Sequence, residues 1–281
     1  MKAGGVRRAG VPAFALFVAL AAPGRSAAQE DFRSTDLDRP LRVEDAYPIK
    51  FGEWEVEVGL RAGAGEEDRA KGVVELKTGP WWNTQIGVEL HGGWERLGED
   101  EDDDEDAGGL ESAGAHLLVN FNRETWSWPA FSARMDVESP GAGDLGRDEW
   151  AVSLKAVGTR SFDRLRLHAN AGYTAAATVD GGDFWRAGLA FDYPIGLFSR
   201  SILGDVYAEF PTREEEDARV WSTLGTRWQL TNRTVLDLGL GGRIDQWVDG
   251  QGDVELVIGI SRVFGIPALA DVPAYPNPRL D

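Results

Sequence analysis

Residues 254–264 read VELVIGISRVF, and this stretch shows the pattern that decides the fold. Every second residue from Val254 to Ile260 is a large aliphatic one, and the positions between them include Glu255 and Gly259. Successive side chains of a strand point to opposite faces, so a period of two gives a strand one apolar face. The stretch is therefore predicted to be a β-strand with an apolar surface on one side.

The same period of two recurs along the chain, and no stretch after the N-terminus keeps a helical period for long. It predicts twelve strands, at residues 52–62, 72–78, 84–94, 110–121, 130–139, 149–160, 165–176, 184–193, 201–210, 219–230, 234–245 and 253–264. Short connections such as GPWWN alternate with long polar ones such as ERLGEDEDDDEDAGG. That alternation is typical of an all-β, up-and-down antiparallel transmembrane β-barrel, here of about 12 strands over residues 51–264.

Aromatic side chains supply a second test of this interpretation. One group lies beside the short turns and the other beside the long loops, as rings do at two membrane interfaces. A soluble all-β protein, the alternative, would place its rings in mid-strand to pack a core. The first group is Trp81, Trp82, Trp126, Trp128, Phe162, Phe198 and Trp228; the second is Trp94, Trp150, Phe184, Trp185, Phe210 and Trp247.

The N-terminus has the order of a secretory signal. Three basic residues precede an apolar run at residues 11–22, and small residues follow at Ser26 and Ala28. The run is too short to span a bilayer. We therefore predict a signal peptide at residues 1–28, a periplasmic segment at 29–50 that could fold into the lumen as a plug, and a periplasmic tail at 265–281. An even strand number puts both termini on the periplasmic side of the outer membrane in a Gram-negative envelope.

Composition and charge exclude several function classes. The 281 residues include no Cys and carry a formal net charge of −18, which becomes −22 without the four basic residues of the signal peptide. The acidic balance argues against nucleic acid as a partner. The lack of Cys removes disulfides, thiolate zinc sites and Cys nucleophiles. No cofactor is expected. The expected partners are outer-membrane lipid and a small-molecule solute, and the sequence does not define the oligomeric state.

By the same alternation, a mixed set of charged side chains is predicted to line the lumen. It has two interpretations: a polar channel wall, or a salt-bridge core that holds the barrel without an open path. The acidic excess predicts a modest preference for cations if the lumen conducts. The set comprises twelve acids (Glu53, Glu55, Glu57, Glu75, Glu89, Asp136, Glu138, Asp192, Asp205, Glu209, Asp237 and Glu255) and eight bases (Lys71, Lys77, Arg134, Lys155, Arg166, Arg186, Arg227 and Arg243).

The three histidines, His91, His116 and His168, are also predicted to face the interior. No two of them share a ligand-like spacing, so no metal site is predicted. His91 and Ser112 could approach each other across the third and fourth strands, and an outer-membrane phospholipase uses a Ser and a His. That chemistry needs a nucleophile and a base that face lipid, together with an orienting group, whereas these residues point inward. No catalytic residue is therefore predicted.

Residues 99–106 form a run of eight acids, EDEDDDED. Like-charge repulsion alone would make this run a solvated external loop, which is the favoured interpretation. The alternative is weak binding of divalent cations by carboxylate oxygens. The run lacks the Gly and the alternating ligands of a formed calcium loop.

Several short motifs resemble one known family. Asp38-Arg39-Pro40-Leu41, then Glu44-Asp45-Ala46 and a first strand led by Gly52, resemble the mature N-terminus of the meta-pathway phenol-degradation family of outer-membrane barrel proteins. The stretches LRLHANAGYT (165–174), RAGLAFDYPI (186–195) and GDVYAEF (204–210) are similar to its central strands. The resemblance, over about residues 36–264, implies a barrel that transports small, hydrophobic or aromatic compounds.

We therefore expect a passive channel or transporter for small solutes, not an enzyme. The first alternative is a structural or assembly barrel without an open pore. An outer-membrane lipid hydrolase is the less favoured alternative.

Overall fold

The computed structural model describes residues 34–35, 39–64, 69–97, 105–143, 145, 149–176, 183–196, 199–213, 216–247 and 254–265. Twelve long antiparallel strands pair in chain order, and the last pairs with the first, which closes the sheet into a barrel. The predicted all-β, up-and-down barrel of about twelve strands is confirmed. The strands are β1 (Glu53–Ala64), β2 (Arg69–Trp81), β3 (Thr84–Leu97), β4 (Glu105–Asn122), β5 (Ala130–Glu138), β7 (Ala151–Phe162), β8 (Leu165–Ala176), β9 (Phe184–Ile195), β10 (Arg200–Pro211), β11 (Arg219–Thr231), β12 (Thr234–Arg243) and β13 (Val254–Gly265), with a two-residue β6 (Ala142–Gly143) paired to β4.

The two ends of the barrel differ in their connections. Two-residue turns at 82–83, 163–164 and 232–233 mark one end, called the short-turn end here, and longer connections mark the other, the long-loop end. Asn83 and Asp163 take positive φ angles of 59° and 56° in two of these turns, a conformation that Asn and Asp tolerate better than most residues. Glu53 pairs with Gly265, so β1 begins and β13 ends at the short-turn end.

Several strand boundaries differ from prediction, among them those of β2, β4 and β12. β2 runs through Pro80 to Trp81, where its pairing with β3 shifts register. β4 begins at Glu105, inside the acidic run, and residues 99–104 of that run lie outside the described part of the chain. β12 ends at Arg243, and the short helix α1 (Ile244–Trp247) replaces the predicted end of the strand. Within the described ranges, no helix has the length and apolar character needed to cross a membrane.

The outer surface of the barrel is apolar. Aliphatic side chains are exposed in mid-strand, and Leu189 is the most exposed of them at 68%. Aromatic side chains are exposed nearer the strand ends, as the two-belt prediction requires. The mid-strand group includes Leu60, Val88, Leu90, Leu154, Leu189, Val206, Leu224 and Leu240, and the aromatic group includes Trp81, Trp82, Trp126, Trp128, Phe162, Trp228, Trp150, Trp185 and Phe210. Of the other predicted rings, Trp94 and Phe184 are half-buried, and Phe198 and the side chain of Trp247 lie outside the described part of the chain.

The interior is mostly polar, and residues 39–50, the N-terminal segment, cross it. Two small apolar clusters form around this segment. Leu41 and Val43 pack against Leu203 and Tyr207, and Ala46 packs against Ala130 and Val157. These apolar clusters are small. Most of the packing inside the barrel is therefore made by contacts between charged and polar groups.

Candidate functional site

Most of the charged side chains predicted to face the lumen are withdrawn from the outer surface. Fourteen of the twenty are buried, five are half-buried, and Lys71 is exposed. The buried ones are Glu55, Glu57, Glu75, Lys77, Glu89, Arg134, Asp136, Lys155, Arg166, Asp192, Asp205, Arg227, Asp237 and Glu255, and the half-buried ones are Glu53, Glu138, Arg186, Glu209 and Arg243.

Acids of β1 are neutralised by a neighbouring strand and by the N-terminal segment. Lys77 of β2 lies opposite Glu55, with its Nζ 3.2 Å from Glu55 Oε2, and also contacts the Glu57 carboxylate. Arg39 reaches the same carboxylate, with Nη2 2.5 Å from Glu57 Oε1. Two cations, one from the wall and one from the segment, therefore share Glu57.

Arg227 and Asp237 form a two-pronged pair between β11 and β12. Arg227 Nε donates to Asp237 Oδ1 at 2.6 Å, and Nη2 donates to Oδ2 at 3.0 Å. Nη2 also donates to the backbone oxygen of Arg39 at 3.2 Å. The planar fork of the guanidinium favours this geometry, so the pair binds both neighbouring strands and the N-terminal segment.

Glu44 of the N-terminal segment joins two bases on β5 and β7. Its carboxylate lies 2.8 Å from Arg134 Nη1 and 2.5 Å from Lys155 Nζ, and Arg134 Nε donates to Asp136 at 2.6 Å. Burial acts to raise the pKa of Glu44, but the charges of Arg134 and Lys155 outweigh burial and hold the pKa below its ordinary value. Glu44 is therefore held as a carboxylate.

Glu255 of β13 is shared by three arginines. Its oxygens lie 2.6 Å from Arg42 Nη2, 2.9 Å from Arg61 Nη1 and 2.9 Å from Arg69 Nη2. Arg42 belongs to the N-terminal segment, whereas Arg61 and Arg69 belong to the wall. This cluster therefore anchors the segment on the side of the barrel formed by β13, β1 and β2.

A second acid on the wall, Asp192, binds Arg166 and His168 of β8. Asp192 Oδ2 accepts from Arg166 Nε at 2.8 Å and lies 3.1 Å from His168 Nε2. His168 Nδ1 is 3.0 Å from Thr159 Oγ1, so both ring nitrogens have partners. Asp45 of the segment lies 3.8 Å from Arg166 Nη2, which extends the ion pairs across the lumen.

Three of the other predicted residues, Arg243, Glu209 and Arg186, have separate partners outside these clusters. Arg243 bonds Asp245 at 2.6 Å near the long-loop end. Glu209 accepts from the Tyr207 hydroxyl at 3.1 Å. Arg186 donates to Ser153 Oγ at 2.9 Å and also contacts Thr174.

Backbone amides of the N-terminal segment donate to side chains of the wall. One acceptor, Asp205, belongs to the predicted lumen set, whereas the other three escaped sequence reasoning. The amides of residues 42, 44, 46 and 49 donate to four wall residues. For those three acceptors, the available signal in the sequence was an uncharged polar residue at an inward-facing position of a strand. The four acceptors are Asp205 Oδ2 at 2.5 Å, Asn170 Oδ1 at 3.0 Å, Thr159 Oγ1 at 2.9 Å and Gln85 Oε1 at 3.0 Å.

Glycines of the wall make room for the segment. A β-carbon on Gly188 would stand 2.5 Å from Val43 Cγ2, and one on Gly239 would stand 2.6 Å from Pro40 Cβ. Real β-carbons do not approach other atoms so closely, so any larger residue there would push the segment away. The wall is thus shaped to the segment.

A cavity of about 490 Å³ opens at the short-turn end. Aromatic and aliphatic side chains of Tyr47, Ile49 and Trp82 line it together with charged Glu53 and Lys77. The cavity is therefore amphipathic, with apolar and charged surfaces side by side.

Glu75, Glu89 and His116 also meet inside the barrel, although their spacing along the sequence gave no sign of it. One ligand atom from each lies within 4.8 Å of the other two. Glu75 is directly opposite Glu89 between β2 and β3, and His116 comes from β4. These three side chains are of the types that bind a divalent metal ion.

His91 and Ser112 occupy paired positions on β3 and β4, as the sequence allowed. Ser112 is buried in the interior. A lipid hydrolase would need this hydroxyl on the lipid side, so the placement does not suit that chemistry.

No known protein family and no curated protein matches the sequence. Solved structures do match, and several of them are channels or porins. The COG4313 outer membrane channel from Pseudomonas putida F1 superposes with a TM-score of 0.66 at 13% identity, over 78% of this chain and 98% of that one. The NanC porin gives 0.55 at 9% identity, over 74% and 98%. The KdgM porin in complex with disordered oligogalacturonate gives 0.51 at 10% identity, over 75% and 99%. At these identities the likeness establishes the fold, and the family resemblance stays a prediction.

Proposed function

We propose that the protein is a passive channel of the outer membrane for small solutes. The observation that carries this proposal is the distribution of polarity across the wall. On β13, Leu256 is 48% exposed on the outside, whereas its neighbour Glu255 is 2% exposed among three arginines. An apolar outside and a charged inside suit lipid around the barrel and water within it.

The proposed location is the outer membrane, with the short-turn end and both termini on the periplasmic side. The fold is shared with outer-membrane channels and porins, and the N-terminus has the order of a secretory signal. A closed barrel resists unfolding by detergent because every strand is hydrogen-bonded on both sides. We expect the protein to fractionate with outer membranes and to change its gel mobility on boiling, and recovery as a soluble periplasmic protein would contradict this location.

The N-terminal segment would restrict passage to small solutes. It reaches the wall through Arg39, Arg42, Glu44 and Asp45. A twelve-stranded barrel is already narrower than the porins that leave wide aqueous channels. With the N-terminal segment inside the barrel, solutes would pass between the segment and the wall, and a wide pore would not remain.

The solute class that best suits the interior is small and neutral or weakly polar. The amphipathic cavity offers rings such as Tyr47 and Trp82 beside Glu53 and Lys77, and aromatic solutes prefer offset or edge contacts with such rings. The acidic excess of the predicted lumen set disfavours acidic oligosaccharides, which need a basic wall. The aromatic cargo implied by the family resemblance is compatible with both features.

One specific observation favours a second candidate, a structural barrel without an open pore. Four backbone amides and four charged side chains of the N-terminal segment bond to the wall. Contacts this dense would suit a permanent plug.

Conductance in planar lipid bilayers separates the two candidates. We expect steady single-channel currents from the full chain, and larger currents from a variant that lacks residues 29–50. Bilayers without protein provide the baseline. No current from either protein, with both shown to be folded by the gel-mobility shift, would favour the structural barrel.

A further inference from the structure

Three buried side chains from three neighbouring strands form a compact group that the proposed channel does not use. Glu75 and Glu89 are each 8% exposed, and His116 is 3% exposed. Their ligand atoms lie within 4.8 Å of one another. Two carboxylates and an imidazole have thus been gathered at one point of the wall.

Glycines opposite the group give it the space it occupies. Gly87 pairs with His116, and a β-carbon there would overlap the imidazole ring. Gly114 pairs with Glu89, and a β-carbon there would stand 2.8 Å from Glu89 Oε1. The two glycines let the ring and the carboxylate lie flat against the neighbouring strands, close to Glu75.

The group carries an excess of negative charge. Glu57, Glu75 and Glu89 stand directly opposite one another across β1, β2 and β3, and like charges in such positions repel. Glu57 has Arg39 and Lys77 at close range. Among the described residues, Glu75 has no Lys or Arg nitrogen within 4.0 Å, and Glu89 reaches Arg134 Nη2 only at 4.0 Å.

The surrounding ion pairs leave that excess unbalanced. Among the described residues, the acids linked by these ion pairs are seven and the bases are five, which leaves two negative charges when all of them ionise. One divalent cation would balance this difference. The acids are Glu44, Glu55, Glu57, Glu75, Glu89, Asp136 and Asp237, and the bases are Arg39, Lys77, Arg134, Lys155 and Arg227.

The orientation of the His116 imidazole also favours a bound cation. The amide of Ile49 donates to Gln85 Oε1 at 3.0 Å, which turns Gln85 Nε2 toward His116 Nε2 at 3.1 Å. Because the Gln85 nitrogen can only donate, His116 Nε2 accepts and carries a lone pair. That nitrogen lies 3.4 Å from Glu75 Oε1, an atom that is buried and has no hydrogen-bond partner within the described part of the chain. Two acceptors therefore face each other.

We propose that Glu75, Glu89 and His116 bind a divalent transition-metal ion of the zinc class. Ligand atoms about 2.0–2.2 Å from a tetrahedral ion are roughly 3.3–3.6 Å apart, which matches the 3.4 Å between His116 Nε2 and Glu75 Oε1. An imidazole with carboxylates suits zinc better than calcium or magnesium, which prefer oxygen ligands alone. The ion would replace the Gln85 bond on Nε2, and water or His91, whose Nε2 is 3.5 Å from Glu89 Oε1, would complete the coordination.

The test uses the full chain, folded in detergent and stripped of metal with EDTA. Titration with Zn²⁺ is followed by calorimetry, and titration with Co²⁺ by visible absorption, which reports a four-coordinate site. We expect one tight equivalent in the unaltered protein. The single variants Glu75→Gln, Glu89→Gln and His116→Gln keep the side-chain size and should each weaken binding by at least about tenfold.

His168→Gln is the matched control, since His168 is equally buried but is already bonded to Asp192 and Thr159. It should bind Zn²⁺ as the unaltered protein does. Folding of every variant is checked by the gel-mobility shift. If His116→Gln fails to fold, Glu75→Gln and Glu89→Gln decide the test. If Glu75→Gln and Glu89→Gln bind Zn²⁺ as tightly as the unaltered protein, the ion lies elsewhere, for example on residues 99–106, and the proposal is overturned. The proposal is also overturned if the unaltered protein binds no tight equivalent of Zn²⁺.

Discussion

A β-carbon on Gly188 of β9 would stand 2.5 Å from Val43 Cγ2, so the wall of the barrel and the N-terminal segment fit each other only because residue 188 is glycine. Gly188 lies on the buried face of its strand, and Val43 packs with Leu203 and Tyr207 beside it. The binding surface for the N-terminal segment is thus part of the barrel wall.

Substitution of Gly188 by valine should loosen the segment. Overpacking of this kind costs about 1–3 kcal/mol, which corresponds to roughly five- to hundredfold faster trypsin cleavage after Arg42. Gly158→Ala is the control, because a β-carbon there meets its nearest atom at 3.6 Å, an ordinary contact. Cleavage of Gly188→Val at the unaltered rate would show that the segment is not held at this point.

Removal of the Glu44 charge should weaken the barrel in a pH-dependent way. The Glu44 pKa is lowered in the folded state because Arg134 and Lys155 outweigh burial. Its stabilising contribution is therefore complete above the ordinary value of about 4.5 and is lost as the pH falls through the lowered folded pKa. We expect Glu44→Gln to reduce the free energy of unfolding by about 3 kcal/mol at pH 7.

Urea unfolding in lipid vesicles between pH 7 and pH 3 checks this expectation. The difference between the unaltered protein and Glu44→Gln should shrink at the acid end. A difference that is constant with pH would mean that the lost contribution is packing and not charge.

The Arg227–Asp237 pair should show strong coupling. Breaking a buried pair from one side leaves a charge without its partner, which costs about 3–5 kcal/mol. We expect Arg227→Met and Asp237→Leu each to destabilise the barrel by that amount, and the double variant to recover much of the loss. A double-mutant cycle of unfolding free energies measures the coupling, and simple additivity would refute it.

Glu53 and Glu57 should differ in their effect on ion selectivity. Glu53 is half-buried and borders the cavity at the short-turn end, whereas Glu57 is buried against Arg39 and Lys77. Glu53→Gln should reduce cation preference, because a charge that borders the cavity concentrates counter-ions within a Debye length of about 8 Å. Glu57→Gln should reduce stability instead and leave selectivity nearly unchanged.

Reversal potentials in a salt gradient, measured side by side for the two variants, test this contrast. Equal shifts from both variants would show that the ion pairs of Glu57 do not screen it. Anion preference in the unaltered protein would contradict the acidic lumen altogether.

The strands were predictable because an apolar outer surface and a polar interior impose a period of two. β8 has the predicted bounds, 165–176, and most other strands agree within two residues. The exceptions are β2, β3 and β4, which are longer than predicted, and β2 continues past Gly79 and Pro80, where prediction ended it. β12 ends two residues early, where Asp245 of the short helix accepts from the Val220 amide at 2.9 Å.

The interior was less predictable, since it depends on which residues stand side by side. The register that sets Glu75 opposite Glu89 depends on the turn at residues 82–83 and on the register shift between Thr78 and Trp81 that precedes it. The N-terminal segment has no period at all, and its partners such as Asn170 and Thr159 are distant in sequence. Periodicity indicates which face a side chain takes, but not its partner.

The passage of small solutes is most directly tested by osmotic swelling of liposomes that contain the folded full chain. We predict swelling in isotonic solutions of small neutral solutes, at rates that fall steeply with solute size and rise when residues 29–50 are removed. Protein-free liposomes set the background rate. Swelling at that background rate for both the full chain and the shortened one would contradict a channel.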